Sequence, residues 1–250
     1  MVAMRVRDEK GRLRGTVLIG KPAAPMSVLG GMAWERDLAH LERMERFTRA
    51  GRHPLAILFA DLERSMELMR SFSTASVFTF GRRLLRAADR CVVDAGGLVG
   101  RHVGDGVVAF FPAETSGSES AAARACIGAA RALQRAVSDV AARSGLAPDS
   151  VVVRFGLHWG SAVYIGKIST LARAEVTALG DDVNAAARIE ASASGGRILA
   201  SKDLIDRLDA DDAKALGIDV RRLRYSQLGD LDSATSKARR DAPDIAVCEL

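Results

Sequence analysis

Cysteine is scarce in this sequence. Cys91, Cys126 and Cys248 make an odd number, none is spaced as a metal-binding pair, and each has apolar neighbours. That argues against a disulfide scaffold or a cysteine-held metal, and buried reduced thiols are the expectation, as in cytosolic chains. Long apolar runs are missing as well. None reaches the length that spans a bilayer, and the start, Met1-Val2-Ala3-Met4-Arg5-Val6-Arg7, lacks the apolar core of a secretion signal. The expectation is a soluble, cytoplasmic protein with no membrane partner. One-sided charge is the third absence: the formal net charge is only +5, with 36 Lys and Arg set among 31 Asp and Glu. The sequence pI near 9.4 therefore reflects scattered cations. Arg82-Arg83, Arg221-Arg222 and Arg239-Arg240 read as solvated faces, and no nucleic-acid partner is expected.

What is present suits one globular domain with an N-terminal extension: 250 residues, of which 48% are hydrophobic. Residues 3–20 read as a hairpin turning at 8–12, similar to the last strands of a small PAS-type sensor domain. Pro22, Pro25 and Gly30-Gly31 punctuate a linker over 21–31. Residues 34–49 read as a charged helix whose Trp34, Leu38, Leu41 and Met44 form a narrow apolar stripe, a seam suited to a second helix. The expected organisation is a hairpin and linker over 1–31, a signalling or dimerisation helix over 32–51, and a main domain over 52–250.

In the main domain, helices are expected over 74–95 and 119–143, the second capped by Ser116 or Ser118 and stopped near Gly145. Strands are expected over 151–159 and 162–165, joined at Gly160, with a helix over 182–193 ended by Gly195-Gly196. A strand over 197–200, a helix over 201–208, and strands near 221–225 and 245–249 complete the order. Helices covering one sheet make an α+β or α/β sandwich.

Three stretches carry chemistry. Leu55-Ala56-Ile57-Leu58-Phe59-Ala60 is a strand-like run ending on Asp61. Two apolar runs meet at Gly104-Asp105-Gly106, a tight hairpin corner that holds a carboxylate. Neighbouring strands would bring Asp61 and Asp105 together, and paired carboxylates with open positions beside them suit Mg²⁺ or Mn²⁺. After Gly180, Asp181 or Asp182 can cap a helix on which Asn184 and Arg188, one turn apart, share a face among small alanines. An amide beside a cation suits an anionic substrate; an exposed polar stripe is the plain alternative.

The order of these stretches, Phe59-Ala60-Asp61, Arg101-His102-Val103-Gly104-Asp105-Gly106, Gly156-Leu157-His158-Trp159-Gly160 and Thr177 through Arg188, resembles the catalytic domain of class III nucleotidyl cyclases. The resemblance runs from about Pro54 to the C-terminus. It implies an α+β fold with a ferredoxin-like βαββαβ core and a C-terminal extension. It implies cyclisation of a nucleoside triphosphate, with two Mg²⁺ or Mn²⁺ ions held by Asp61, Asp105 and the carbonyl of Leu62. Asn184 would orient the ribose, and Arg188 would stabilise the transition state. The two halves of each site would come from different subunits of a head-to-tail homodimer.

The resemblance also implies purine contacts at Arg101 and Thr177, which stand where other members carry lysine or glutamate and aspartate. Both can serve adenine, and Arg101 can also donate to guanine O6, so ATP is expected ahead of GTP mainly because glutamate is absent. Arg64 stands where the family usually has glycine, and with Ser65 it follows the first aspartate in the phosphate-facing loop. The family's late phosphate-binding lysine has no clear counterpart; Lys237 is the nearest candidate, in a stretch expected to be a flexible basic loop. His102, His158 and Trp159 are expected to pack or hydrogen-bond. These departures keep open a catalytically silent regulatory module that only dimerises.

Overall fold

The computed structural model describes residues 2–7, 13–19, 38–147, 150–169 and 174–250. The chain divides into two units, Met1–Ala39 and His40–Leu250. In the first, strands β1 (Val2–Arg7) and β2 (Leu13–Ile19) pair antiparallel as the expected hairpin. Its turn at 8–12 and the linker at 21–31 lie outside the described residues, as do residues 34–37 of the expected leading helix; residues 38–45 are helical and form α1.

The second unit is built on one large sheet. Strand β3 (Gly51–Leu62) pairs antiparallel with both β5 (Gly106–Pro112) and β6 (Val153–Ser169), and β4 (Leu98–Val103) pairs with β5. Helix α3 (Thr74–Asp94) links β3 to β4, and α5 (Glu119–Arg143) follows β5 and the short α4 (Ala113–Ser116) on the way to β6. The spatial order β4-β5-β3-β6 is the βαββαβ arrangement expected of a ferredoxin-like core. The extension adds β8 (Ile198–Ser201) parallel to β6, then β10 (Ala246–Glu249) and β9 (Ser226–Gln227) antiparallel beyond it.

Local sequence explains the long helices. In α3, Phe80, Leu84, Ala88 and Val92 recur every four residues and are buried, and Ser73 caps the helix by accepting from the Ser76 amide. In α5, Ser118 is the cap, and Ala122, Ala123, Ala129, Ala130 and Ala141 are buried, small enough for the helix to lie close on the sheet. Both helices share one core with the sheet, in which Cys126 and Cys248 are buried as thiols; Cys91 is partly buried against it. A second core, on the other face, joins Met44 and Phe47 to Leu55, Ile57, Leu98, Val176 and Ala186. From α1, then, Met44 enters a core, whereas Leu38 and Leu41 stay exposed.

Several expectations need correction. The two strands divided at Gly160 are one strand, β6. Pro54 has no N–H for the ladder, and the register slips between His53 and Leu55 opposite Gly160, so a bulge replaces the expected break. Strand β7 (Ala174–Leu179), paired with β6, was not expected, nor were α2 (Ser65–Ser71) and α8 (Ala210–Ala215). Helix α7 is shorter than expected, Lys202–Ile205, and the late pairing falls at Ser226–Gln227 after a 3-10 turn at Val220–Arg222. The basic loop around Lys237 is helix α9 (Ser236–Asp241), capped by Thr235. Among the described residues, no helix is long and apolar enough to cross a membrane.

Candidate active site

Asp61 lies near the end of β3, one residue past Ala60, which pairs with Val107 of β5. Asp105 sits in the two-residue turn between β4 and β5, where Gly104 takes a positive φ of 66° that a side chain would resist. The neighbouring strands therefore bring the two carboxylates to one end of the sheet. Burial, and next to it the negative charge of Asp61, push the Asp105 carboxyl above the usual range, against partial relief from its own backbone amide and from Ser65. Asp105 Oδ2 is buried and has no hydrogen-bond partner. A desolvated, unsatisfied carboxylate oxygen beside a second carboxylate fits a hard divalent cation. Asp105 and Leu62 line one cavity, and Asp61 and Asp105 are close enough for the charge of one to bear on the other, so oxygen donors of the kind such an ion takes are present at this corner. Among the described residues, no cluster of three or more His, Cys, Asp or Glu side chains suited to a metal ion occurs, at this corner or elsewhere.

Arg154, on β6 directly across from Asp61, was not singled out in the sequence. Its Nη2 donates to Asp61 Oδ2 at 3.0 Å, and its Nε lies 2.5 Å from Glu190 Oε1, off the N–H direction, an ion pair rather than a hydrogen bond. Burial opposes the charge on Arg154, but Glu190 and Asp61 outweigh it and raise its proton affinity. Burial pushes Glu190 up to about 7, opposed by Arg154 and reinforced by Asp61 and Asp105. The signal that could have found the pair is an arginine in an apolar strand run and a glutamate on the inner face of an alanine-rich helix.

That helix, α6 (Asp181–Ser192), carries Asn184 and Arg188 as well. Gly180 is its cap residue, without a side-chain capping bond; Asp181 and Asp182 lie in the first turn, where negative charge suits the helix dipole. The helix lies very close to β6 at Gly156: a Cβ there would stand 2.2 Å from the Glu190 amide nitrogen and 2.6 Å from the Ala186 oxygen. Only glycine admits that approach, which seats Glu190 beside Arg154. Asn184 and Arg188 line a cleft of about 800 Å³ with His158, Lys202, Asp241 and Asp244, while Leu62, Ser65, Gly104 and Asp105 line a different cavity of about 190 Å³.

The remaining predicted residues fall as follows. Arg101 is exposed on β4 and Thr177 is half-buried on β7, and these two strands share the second core through Leu98, Val176 and Ala178. Lys237 is exposed on α9 and is not among the residues lining the large cleft, where the cations are Arg188 and Lys202. His102 pairs with Asp89 at 2.8 Å, and His158 lies buried with its Nε2 3.5 Å from Asp182.

Arg64 is the only described non-glycine residue with a positive φ, 56°, and it begins α2. A left-handed backbone favours glycine, the residue that the resemblance implies at this position. Replacing Arg64 with glycine is expected to raise stability by about 1 kcal/mol, the relief of left-handed strain less glycine's extra unfolded freedom. Urea melts of Arg64→Gly measure this, and a less stable variant would show that the arginine side chain contributes more than its backbone costs.

Comparison with known proteins bears on the family and the fold. The family profile described as the adenylate and guanylate cyclase catalytic domain matches residues 49–224. An adenylate cyclase of Anabaena cylindrica is 26% identical over 165 residues, covering 65% of this chain and 32% of that protein. The terminal-differentiation adenylate cyclase of Dictyostelium discoideum is 31% identical over 137 residues, 54% of this chain and 6% of that one. The chain thus spans about a third of the first relative and a small part of the second. In structure it is similar to the adenylyl cyclase CyaB of P. aeruginosa, with a TM-score of 0.62 at 19% identity over 81% of this chain and 96% of that one. The guanylyl cyclase Cya2 gives 0.63 at 21% identity, over 80% and 93%. Its ordered motifs, its sheet and its matched span place the chain in the adenylate and guanylate cyclase catalytic domain family.

Proposed function

We propose that this chain is an adenylyl cyclase that converts ATP to 3′,5′-cyclic AMP and pyrophosphate as a head-to-tail homodimer. One observation carries the reading: Asp105 with Leu62 and Ser65, and Asn184 with Arg188, line two separate cavities of a single chain. A second copy turned head to tail would set one chain's carboxylates opposite the other's amide and guanidinium, completing two sites at once. Bare apolar side chains support an interface. Tyr164 and Leu179 are cross-strand partners on the β6–β7 hairpin, yet they are 49% and 68% exposed.

In the reaction the ribose 3′-oxygen bonds to the α-phosphorus, the bond from that phosphorus to the bridging oxygen of the β-phosphate breaks, and the hydroxyl proton departs as pyrophosphate leaves. Two Mg²⁺ or Mn²⁺ ions, held by Asp61, Asp105 and the Leu62 carbonyl, would supply a lowered hydroxyl pKa and neutralisation of the triphosphate. Asn184 holds the ribose in line for attack, and Arg188 donates to the α-phosphate oxygens as their charge grows. Arg154 keeps Asp61 oriented. Arg101 donates to adenine N1, and the Thr177 hydroxyl accepts from the exocyclic amine. Ser65 and Arg64 stand beside the triphosphate, with Lys237 further out.

Arg101 serves guanine O6 equally well, which favours a guanylyl cyclase as the second reading. Both are tested by incubating the purified protein with ATP or GTP and Mn²⁺ or Mg²⁺ and identifying the cyclic product by mass spectrometry. Cyclic AMP in excess is the expected result. Cyclic GMP in excess selects the second reading, and no product from either nucleotide leaves a silent dimerising module.

A further inference from the structure

Arg188 is not left to find its own position. Its Nε donates to Asp241 Oδ2 at 3.1 Å, and the same carboxylate takes Arg240 through Nε to Oδ1 at 2.7 Å and Nη2 to Oδ2 at 3.1 Å. Arg240 first, then Arg188, hold the Asp241 carboxyl below its usual range, so it is charged at neutral pH.

The segment that delivers this carboxylate is itself anchored. Thr235 caps α9, Ala238 is buried with Ile189, Leu228 and Val247, and the Ser233 hydroxyl donates to the Ser192 carbonyl at the end of α6 at 2.6 Å. Arg239 ties the segment back through the Gly229 and Leu231 carbonyls, each at 3.2 Å. A carboxylate so fixed has little freedom to follow a moving arginine; the arginine conforms to it. Contact through Nε also leaves the donors on Nη1 and Nη2 for a ligand.

We propose that Asp241 is a positioning residue for the reaction: by taking Nε it fixes the guanidinium of Arg188 in the attitude from which its terminal nitrogens meet the α-phosphate. This rests on the cyclase reading above. An unheld arginine would search many rotamers, and a misplacement of about 1 Å can cost about a hundredfold in rate.

The test is steady-state kinetics of Asp241→Ala and Asp241→Asn in the full chain, with the Arg188 ¹⁵Nε–H resonance followed by NMR. The alanine variant is expected to lose between about tenfold and a hundredfold in kcat, with KM within about threefold of wild type. Asparagine keeps an acceptor for Nε, so it should restore most of kcat and the slow exchange of the Nε–H proton. An Asp241→Ala enzyme as fast as wild type, or faster, overturns the role and makes the carboxylate a bystander or a competitor of the phosphate. Should the alanine variant fail to fold, Asp241→Glu decides: it keeps the charge but displaces the acceptor, so wild-type kcat there also overturns the role. A wild-type protein that turns over neither nucleotide sinks the cyclase reading itself, a result distinct from active enzymes that ignore Asp241.

Discussion

Asp105→Asn is expected to lower cyclic-nucleotide formation by more than about a hundredfold, the upper end of what losing an outer-shell partner of a metal costs, without weakening the fold. The two halves of that result have one cause. The Asp105 carboxyl is raised above its ordinary value of 3.8 by burial and by Asp61, so its ionised form opposes folding. The sign follows from linkage: a carboxyl raised on folding binds more protons in the native state, so its cost sets in above pH 3.8 and is complete once pH exceeds the folded value. An amide cannot ionise, and the variant should melt at or above the wild-type temperature near neutral pH when no divalent ion is present. Added Mn²⁺ should then raise the melting temperature of the wild type and not of the variant, because a ligand stabilises only what it binds. Retained turnover and a retained response to Mn²⁺ in Asp105→Asn would remove this residue from the metal site.

Arg154→Leu should damage both stability and activity. The variant leaves Glu190, whose side chain is 10% exposed, without its cation, and breaking such a pair typically costs about 3–5 kcal/mol; with Arg154 itself 27% exposed, about 3 is expected. The loss should depend on pH with a definite sign. In the wild type Glu190 is raised from 4.5 to about 7, so stability falls as pH climbs through that window and levels off above it. Removing Arg154 extends the window upward, and the variant should therefore lose more stability at pH 8 than at pH 6 in urea melts. Glu190→Leu in the same chain should recover most of the stability, but kcat should stay low, since Asp61 still lacks the contact that orients it. A pH-independent loss, or recovery of turnover with stability, would contradict the assignment.

How much of this could be read in advance depended on the kind of signal. The hairpin at Gly104-Asp105 and the helix from Ser118 to Gly145 were legible because turn chemistry, capping and apolar period agree locally. The ferredoxin-like order came from the resemblance, and the sheet carries it. Arg154 and Glu190 were not legible, because they are 36 residues apart and meaningful only once β6 and α6 are stacked. Helix α9 was missed because Ser233, Thr235 and Ser236 read as loop; its buried contact is a single alanine, Ala238, too small to mark an apolar face. Strand β6 was cut in two because a glycine was taken for a turn, when the irregularity belongs to Pro54 on the neighbouring strand.

Gly156 has a consequence beyond packing. Because β6 has no side chain at that point, the backbone carrying Arg154 and the backbone carrying Asn184, Glu190 and Arg188 are held at a spacing set by bare main chain. In the proposed pair of chains, those two backbones serve opposite catalytic centres. One missing methyl group therefore sets a common ruler for both centres, and any residue larger than glycine would shift them out of alignment together, even in an otherwise unaltered dimer.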